Sequence, residues 1–259
     1  MTESCLRLRT LRPILAVVAA LTCPLICLGE DTSETRVPSD LARHLEQGVH
    51  LGGVAEVVDG RVRGVAFQAI EKLISGDAPN EVILPTVSNE SFAIIKSFPQ
   101  MKWLRLSDAN IGDAGMVHIV SLTELEVLSL RRTNVTEEAL KHLEHCRRLR
   151  YLDLMGMDLS PDGLKMLATN MQLAHVLEVL HLQSSTIDDQ GAAALTSFPS
   201  LRVLRLSHTN IGDGAVVHLR KLKKLEVLEV NSTKITSRGA AALRSALPKT
   251  KVVTEDPPP

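Results

Sequence analysis

One phrase, Leu-x-x-Leu-x-Leu-x-x-Thr-Asn-Ile-x-Asp-x-Gly-Leu-x-x-Leu-x-x-Leu, is written six times with variations between Met101 and Leu247. Two copies are nearly identical. Leu104-Arg-Leu-Ser-Asp-Ala-Asn-Ile-Gly-Asp113 returns one hundred residues later as Leu204-Arg-Leu-Ser-His-Thr-Asn-Ile-Gly-Asp213. A fixed period in the twenties sets the architecture before any single motif is read, because each unit can bury its apolar side only against its neighbours. Repetition also means that a recurring residue can owe its presence to copying rather than to chemistry.

With the first leucine as position 1, repeats start at Met101, Leu125, Leu149, Leu177, Leu201 and Leu225. All have 24 residues except the third, which has 28; its extra residues fall within Asn170 to Val176 and predict an added turn or a longer exit from its helix. Position 4 is Leu104, Leu128, Leu152, Leu180, Leu204 and Leu228, and position 6 is Leu106, Leu130, Leu154, Leu182, Leu206 and Val230. This apolar alternation is strand spacing with one face inward. Position 11 (Ile111, Val135, Leu159, Ile187, Ile211, Ile235) is a further inward layer.

The period then changes. Thr136, Ser160, Asp188 and Thr236 suit a helix N-cap, and apolar residues move to helical spacing, as in Leu140, Leu143 and Cys146. Position 15 is always Gly or Ala, which predicts a close approach of helix to strand layer. At position 9 the hydroxyls of Thr133, Ser185, Thr209 and Thr233 are expected to satisfy turn backbone groups, whereas Ala109 and Met157 cannot. Each unit is therefore a strand, a turn and a helix, and the whole an α/β solenoid.

This pattern resembles the leucine-rich-repeat family, closest to its cysteine-containing-like subtype, which is common in secreted bacterial repeat proteins. Asn134-Val-Thr-Glu-Glu-Ala-Leu140 and Thr186-Ile-Asp-Asp-Gln-Gly-Ala192 carry the resemblance best. It implies a horseshoe with parallel strands on the concave face and helices on the convex face. It also implies a protein–protein recognition scaffold with no particular ligand.

Flanking segments complete the expected organisation. Arg7, Arg9 and Arg12 precede an apolar run from Ile14 to Leu28, which reads as a secretory signal peptide over 1–29, cleaved after Gly29. An uncleaved anchor, or lipidation at Cys23 or Cys27, is the alternative. Cleavage would leave Cys146 as the sole cysteine, so no intramolecular disulfide could form. Residues 30–79 read as linker and N-terminal cap, with a short helix at Ser39 to Gln47 and a strand-like Val62 to Phe67. The solenoid runs over 80–253. Its degenerate first repeat, 80–100, would have Val82 and Leu84 as its strand, followed by Phe92, Ile95 and Phe98 at helical spacing. Leu247-Pro248 should stop the last helix, Val252-Val253 should add a closing strand, and 254–259 should be disordered.

Apolar residues make up 44% of the 259, but aromatics only 2%, which suits many small aliphatic layers. The net charge of −1 gives no global field toward nucleic acid or an anionic membrane. Function must then sit on the outward strand positions 2, 3, 5, 7 and 8. The only Trp and the only Tyr, Trp103 and Tyr151, share position 3. With Arg105, Asp108, Arg131, Arg132, Asp153, His181, Arg205 and His208 they form a candidate partner-binding set, since Trp, Tyr and Arg dominate binding hot spots. The alternative is that the aromatics pack on flanking repeats and the charges only keep the face soluble.

His142-Leu-Glu-His145-Cys146 imitates zinc-ligand spacing, but Cys146 occupies a core position and the repeated histidines follow from duplication. Acid pairs such as Asp188-Asp189 and Glu137-Glu138 open helices at the positive dipole end. No nucleophile–base spacing, phosphate loop, CxxC pair or HExxH is present. The expectation is a non-catalytic, cofactor-free protein in the periplasm, cell envelope or exterior that binds a protein. Two other roles are a substrate-recognition subunit of a ubiquitin-ligase-like complex, for which no F-box-like segment precedes the repeats, and a structural envelope component.

Overall fold

The computed structural model describes residues 54–58, 61–66 and 89–255. The expected signal peptide, the helix at Ser39 to Gln47, the strand at Val82 and Leu84 and the last four residues lie outside them.

Nine strands form one sheet in chain order: β1 (Val54–Val58), β2 (Arg61–Ala66), β3 (Trp103–Arg105), β4 (Val127–Ser129), β5 (Tyr151–Asp153), β6 (Val179–His181), β7 (Val203–Arg205), β8 (Val227–Glu229) and β9 (Lys251–Val253). The hairpin β1–β2 is antiparallel and every later pair is parallel. Parallel neighbours pair at equal repeat positions, Leu104 with Leu128, Leu128 with Leu152 and so on to Leu204 with Leu228. The register read from the sequence is thus the register of the sheet. All leucines at positions 4 and 6 are buried, and position 11 is buried except for Ile235 in the last repeat, which is only partly covered.

At the N-terminal end the parallel neighbour of β3 is β2, through Gly64 and Trp103. Only the helical half of the degenerate repeat is seen, Ser91–Ser97, with Phe92, Ile95 and Phe98 buried below Met101. At the other end the last helix, Ser237–Ala246, stops before Leu247-Pro248, and β9 closes the sheet. Glu255 was expected in the disordered tail, but its carboxylate accepts a hydrogen bond from the Ser232 hydroxyl.

Each strand ends in a tight turn. Position 8 is left-handed in all six repeats: Asp108, Arg132, Gly156, Ser184, His208 and Ser232 have φ between 50° and 77°. For a non-glycine residue this costs roughly 1–2 kcal/mol. Bonds to the next repeat hold it, as where the Arg132 N–H donates to Met155 O at 3.0 Å and the His208 N–H to Asn231 O at 3.0 Å. The position-9 hydroxyls close the turn as anticipated. Thr133, Ser185 and Thr233 each donate to the carbonyl three residues back at 2.8 Å, and Thr209 does so at 2.6 Å. At Ala109 and Met157 the backbone N–H alone makes that closure, at 3.0 Å.

The convex side departs from "one helix per repeat". Among the described residues only Pro161–Thr169 and Ser237–Ala246 are α-helices of nine or more residues. Glu137–His145 is a 3-10 helix, and the first, fourth and fifth repeats carry short α and 3-10 pieces. The four inserted residues of the third repeat start a second helix, Met171–Val176, whose N-cap Asn170 accepts from the Leu173 N–H at 3.2 Å.

A ladder unforeseen in the sequence ties these turns together. The position-13 side chain of one repeat accepts the backbone N–H of position 12 in the next, and the hydroxyl where there is one. Asp113 takes Thr136 N at 2.8 Å and Oγ1 at 2.7 Å; Glu137 takes Ser160 N at 2.9 Å and Oγ at 2.7 Å; Asp213 takes Thr236 N at 2.9 Å and Oγ1 at 2.7 Å. Asn89 does the same for Gly112 N at 3.0 Å. The bonds from Thr236 hold the Asp213 carboxyl below its ordinary pKa. Pro161 breaks the ladder, and there Asp188 instead caps its own helix through the Gly191 N–H at 3.0 Å. The small residue at position 15 serves this ladder: a Cβ on Gly163 would lie 2.8 Å from Glu137 Cβ, and one on Gly239 would lie 2.9 Å from Asp213 Cγ. At Gly163 and Gly239 the room is needed for the preceding repeat's acid, while a Cβ on Gly115 or Gly191 would also meet the inward Ile111 or Ile187 Cγ2, at 2.9 and 3.0 Å.

Candidate binding face

Side chains at positions 3, 5 and 7 stand on the strand side of the sheet, opposite the helical segments. Position 3 (Trp103, Val127, Tyr151, Val179, Val203, Val227) is half-buried throughout. Arg105 is exposed and its guanidinium carbon sits 5.9 Å from the centre of the Trp103 ring, within cation–π range.

The centre of the face is a buried polar row at position 5. Ser129, Asp153 and His181 are 5%, 7% and 8% exposed, so the two predicted binding residues Asp153 and His181 lie in the floor of the face and do not project from it. The Ser129 hydroxyl donates to Asp153 Oδ2 at 3.2 Å, and the Met155 N–H donates to Asp153 Oδ1 at 3.0 Å. His181 Nδ1 is 3.9 Å from Asp153 Oδ1, beyond hydrogen-bond distance, but 3.2 Å from the Tyr151 hydroxyl. The two rings meet edge to face with centroids 5.1 Å apart. Burial lowers the His181 pKa, opposed by Asp153 and reinforced by Arg205 and Arg131. The ring is therefore neutral near pH 7, and its Nδ1 and the Tyr151 hydroxyl share one hydrogen bond whose direction follows the imidazole tautomer. Burial raises the Tyr151 pKa, so the phenol stays protonated.

Serine, aspartate and histidine on adjacent strands invite comparison with a hydrolytic triad, but their order differs. Nucleophile activation requires the imidazole between serine and carboxylate. Here Asp153 stands in the middle and receives the serine proton itself.

His181 gives a pH signature. Its folded pKa lies below the unfolded value of 6.5, so below that pH the unfolded chain binds the proton more readily. The stabilisation is fully present above pH 6.5 and is lost as pH falls through the folded value. Urea unfolding between pH 8 and pH 5 should show wild type losing more stability on acidification than His181→Gln; parallel curves would refute this.

The remaining predicted residues divide. Asp108, Arg132 and His208 occupy the left-handed turn at position 8, beyond the strand edge. Arg132 Nη2 donates to Asp108 Oδ2 at 2.8 Å, so these two charges satisfy each other. Arg205 Nε is 3.4 Å from Glu229 Oε1. Arg131 is half-buried at position 7. A sequence signal went unused at position 2, where Lys102, Glu126, Arg150, Glu178, Arg202 and Glu226 alternate in sign and pair across strands at 2.7, 3.1, 3.8 and 2.7 Å.

On the helical side Cys146 is 1% exposed, and burial pushes its thiol up to about 12, so it packs as a small hydrophobe. His145 turns to Glu144 at 3.2 Å. The apparent zinc spacing thus does not converge on one point.

In-register parallel strands, a left-handed turn after each and short helical returns define a leucine-rich-repeat solenoid. The family model described as "Leucine Rich repeat" matches residues 145–168, 174–195, 199–219 and 221–243, and the chain is a leucine-rich-repeat protein. Among solved structures it resembles internalin C2 of Listeria monocytogenes at a TM-score of 0.52 and 18% identity, over 76% of this chain and 75% of that one. At that identity the likeness is one of fold. No curated protein matches the sequence significantly.

Proposed function

We propose that this chain is a non-catalytic interaction scaffold, exported to the periplasm, cell envelope or exterior, that binds a partner protein through its strand face. One observation carries the reading: the chain's only Trp and only Tyr stand half-exposed on the same face of the sheet, on β3 and β5, with the exposed Arg105 against the Trp103 ring. Rigid aromatics bury large area at low entropy cost, and arginine pairs with them at hot spots. The polar groups of the turns, by contrast, largely bond to neighbouring repeats. Export rests on the basic, then apolar, N-terminal segment. Among the described residues no helix is long and apolar enough to cross a membrane.

Capture of a partner from the native envelope fraction should weaken at least tenfold with Trp103→Ala or Tyr151→Ala, and also with Arg105→Glu. Unchanged capture by all three would overturn the assignment of this face. Recovery of the full-length, uncleaved protein in the cytosol would overturn export.

A further inference from the structure

The net charge of −1 conceals a separation along the solenoid. Residues 214–251 hold nine Lys and Arg against two Asp and Glu, a surplus of seven positive charges that the rest of the chain balances. Six of these cations, Arg220, Lys221, Lys223, Lys224, Lys249 and Lys251, are exposed and gather on one rim, where the chain enters β8 and β9. Hydrogen bonds draw their two turns together. Lys223 Nζ donates to Ala246 O at 3.1 Å, Thr250 Oγ1 to Leu225 O at 2.6 Å and the Lys251 N–H to Glu226 O at 2.7 Å. Neighbouring strands run about 4.8 Å apart, inside the Debye length of about 8 Å at physiological salt, so these charges repel one another.

Among the described residues none of the six lies within ion-pair distance of a carboxylate. Glu226, the only acid within 220–226 and 247–251, is taken by Arg202 at 2.7 Å. The same rim of earlier repeats does balance cations, Lys102 with Glu126, Arg148 with Glu124 and Arg150 with Glu178. Nor are the lysines copies. Where the fifth repeat has Arg220-Lys-Leu-Lys-Lys224, the first, its near-duplicate in strand and turn, has Val120-Ser-Leu-Thr-Glu124, and the fourth has Thr196-Ser-Phe-Pro-Ser200.

We propose that this basic rim docks on an anionic phospholipid surface. The cations suit that occupant in kind as well as number. Five of the six are lysines, point charges on flexible stems, whereas arginine forks would mark a planar acceptor held in one orientation. A fluid layer of headgroups asks for no orientation, and a cluster of roughly four to eight Lys/Arg is enough to adsorb on it. Residues 214–251 contain no Phe, Tyr or Trp to stack a nucleic-acid base or anchor in a protein pocket. Val217, 44% exposed and one helical turn before Arg220 and Lys221, offers an apolar contact at the headgroup boundary. Docking by this end leaves Trp103 and Tyr151, on β3 and β5, free for a partner protein.

The test is co-sedimentation of the full chain with vesicles of phosphatidylcholine alone or mixed equally with phosphatidylglycerol. Binding should require phosphatidylglycerol and fall as salt rises from about 0.1 M to 1 M, which shortens the Debye length from about 10 Å to 3 Å. The triple variant Lys221→Gln, Lys224→Gln, Lys249→Gln should bind about a hundredfold more weakly, about fivefold for each charge. A second triple variant, Lys96→Gln, Lys141→Gln, Lys165→Gln, removes as much charge away from this rim and should change binding by less than about threefold. Both should melt with wild type, since all six side chains are exposed. Several results overturn the proposal: equal binding to the two kinds of vesicle, binding to neither, equal losses in the two triple variants, or a loss seen only because the rim variant melts early. Tighter binding to duplex DNA or polyglutamate than to the vesicles, at equal anionic charge, would overturn it in favour of another occupant. Trp103→Ala and Tyr151→Ala should leave vesicle binding unchanged, so this proposal and the strand-face reading fail separately.

Discussion

Replacing Leu128 by alanine should lower the free energy of unfolding by about 2–5 kcal/mol. The side chain is fully buried, and its strand neighbours on either side are Leu104 and Leu152, which are buried as completely. The stack has no freedom to collapse into the gap, because the sheet hydrogen bonds fix the spacing of repeats. Each repeat is stabilised chiefly by its two neighbours, so the defect should also loosen the coupling between the first repeat and the rest. In equilibrium urea unfolding this appears as an earlier, broader transition. Arg105→Glu, on the opposite side of the same sheet, should cost under about 1 kcal/mol, the worth of an exposed cation–π contact. Equal losses in the two variants would mean that the wrong face has been placed inward.

Gly163→Val should be the other severe change. The new Cβ would lie 2.8 Å from both Cβ and Cδ of Glu137, so the acid must leave its place. Its two bonds from Ser160, N at 2.9 Å and Oγ at 2.7 Å, would then break. Overpacking costs about 1–3 kcal/mol, and an unsatisfied backbone donor about 1–3 kcal/mol more. Glu137→Ala at the same junction removes the acid without the clash and should cost less. The double variant should cost less than the two single changes added, because the clash partner is gone. Simple additivity, measured by thermal or urea unfolding of all three, would mean that the glycine is there for another reason.

Much of this molecule was legible from spacing alone. The strand register, the inward leucines, the position-9 hydroxyl turns and the closing strand at Val252-Val253 follow from a period that every copy repeats. The convex side was less legible. Helical spacing of Leu140, Leu143 and Cys146 fits an α-helix and a 3-10 helix almost equally over so few residues, and Glu137–His145 is the latter. The place of β2 beside β3 was hidden because it depends on a hairpin with no repeat pattern.

For the candidate site, Trp103, Tyr151 and the arginines were placed on one face by counting. Their separate roles were not. Asp153 and His181 were expected to project from the face and instead lie in its floor, each in contact with a residue on the next strand. Asp108 and Arg132 were taken as outward strand positions, but the left-handed turn carries them past the strand edge and onto each other.

The sequence by itself determined the solenoid, because burial of a repeated apolar pattern admits only one register and one inward face. It also determined which residue types reach the outer strand surface. Only the tertiary structure decided which of those charges satisfy one another and which lie in the floor of the face, since that depends on contacts between side chains 24 or more residues apart. The physical reason is range: periodicity reports the direction a side chain points, while pairing and burial are set by the neighbour that stacking brings alongside.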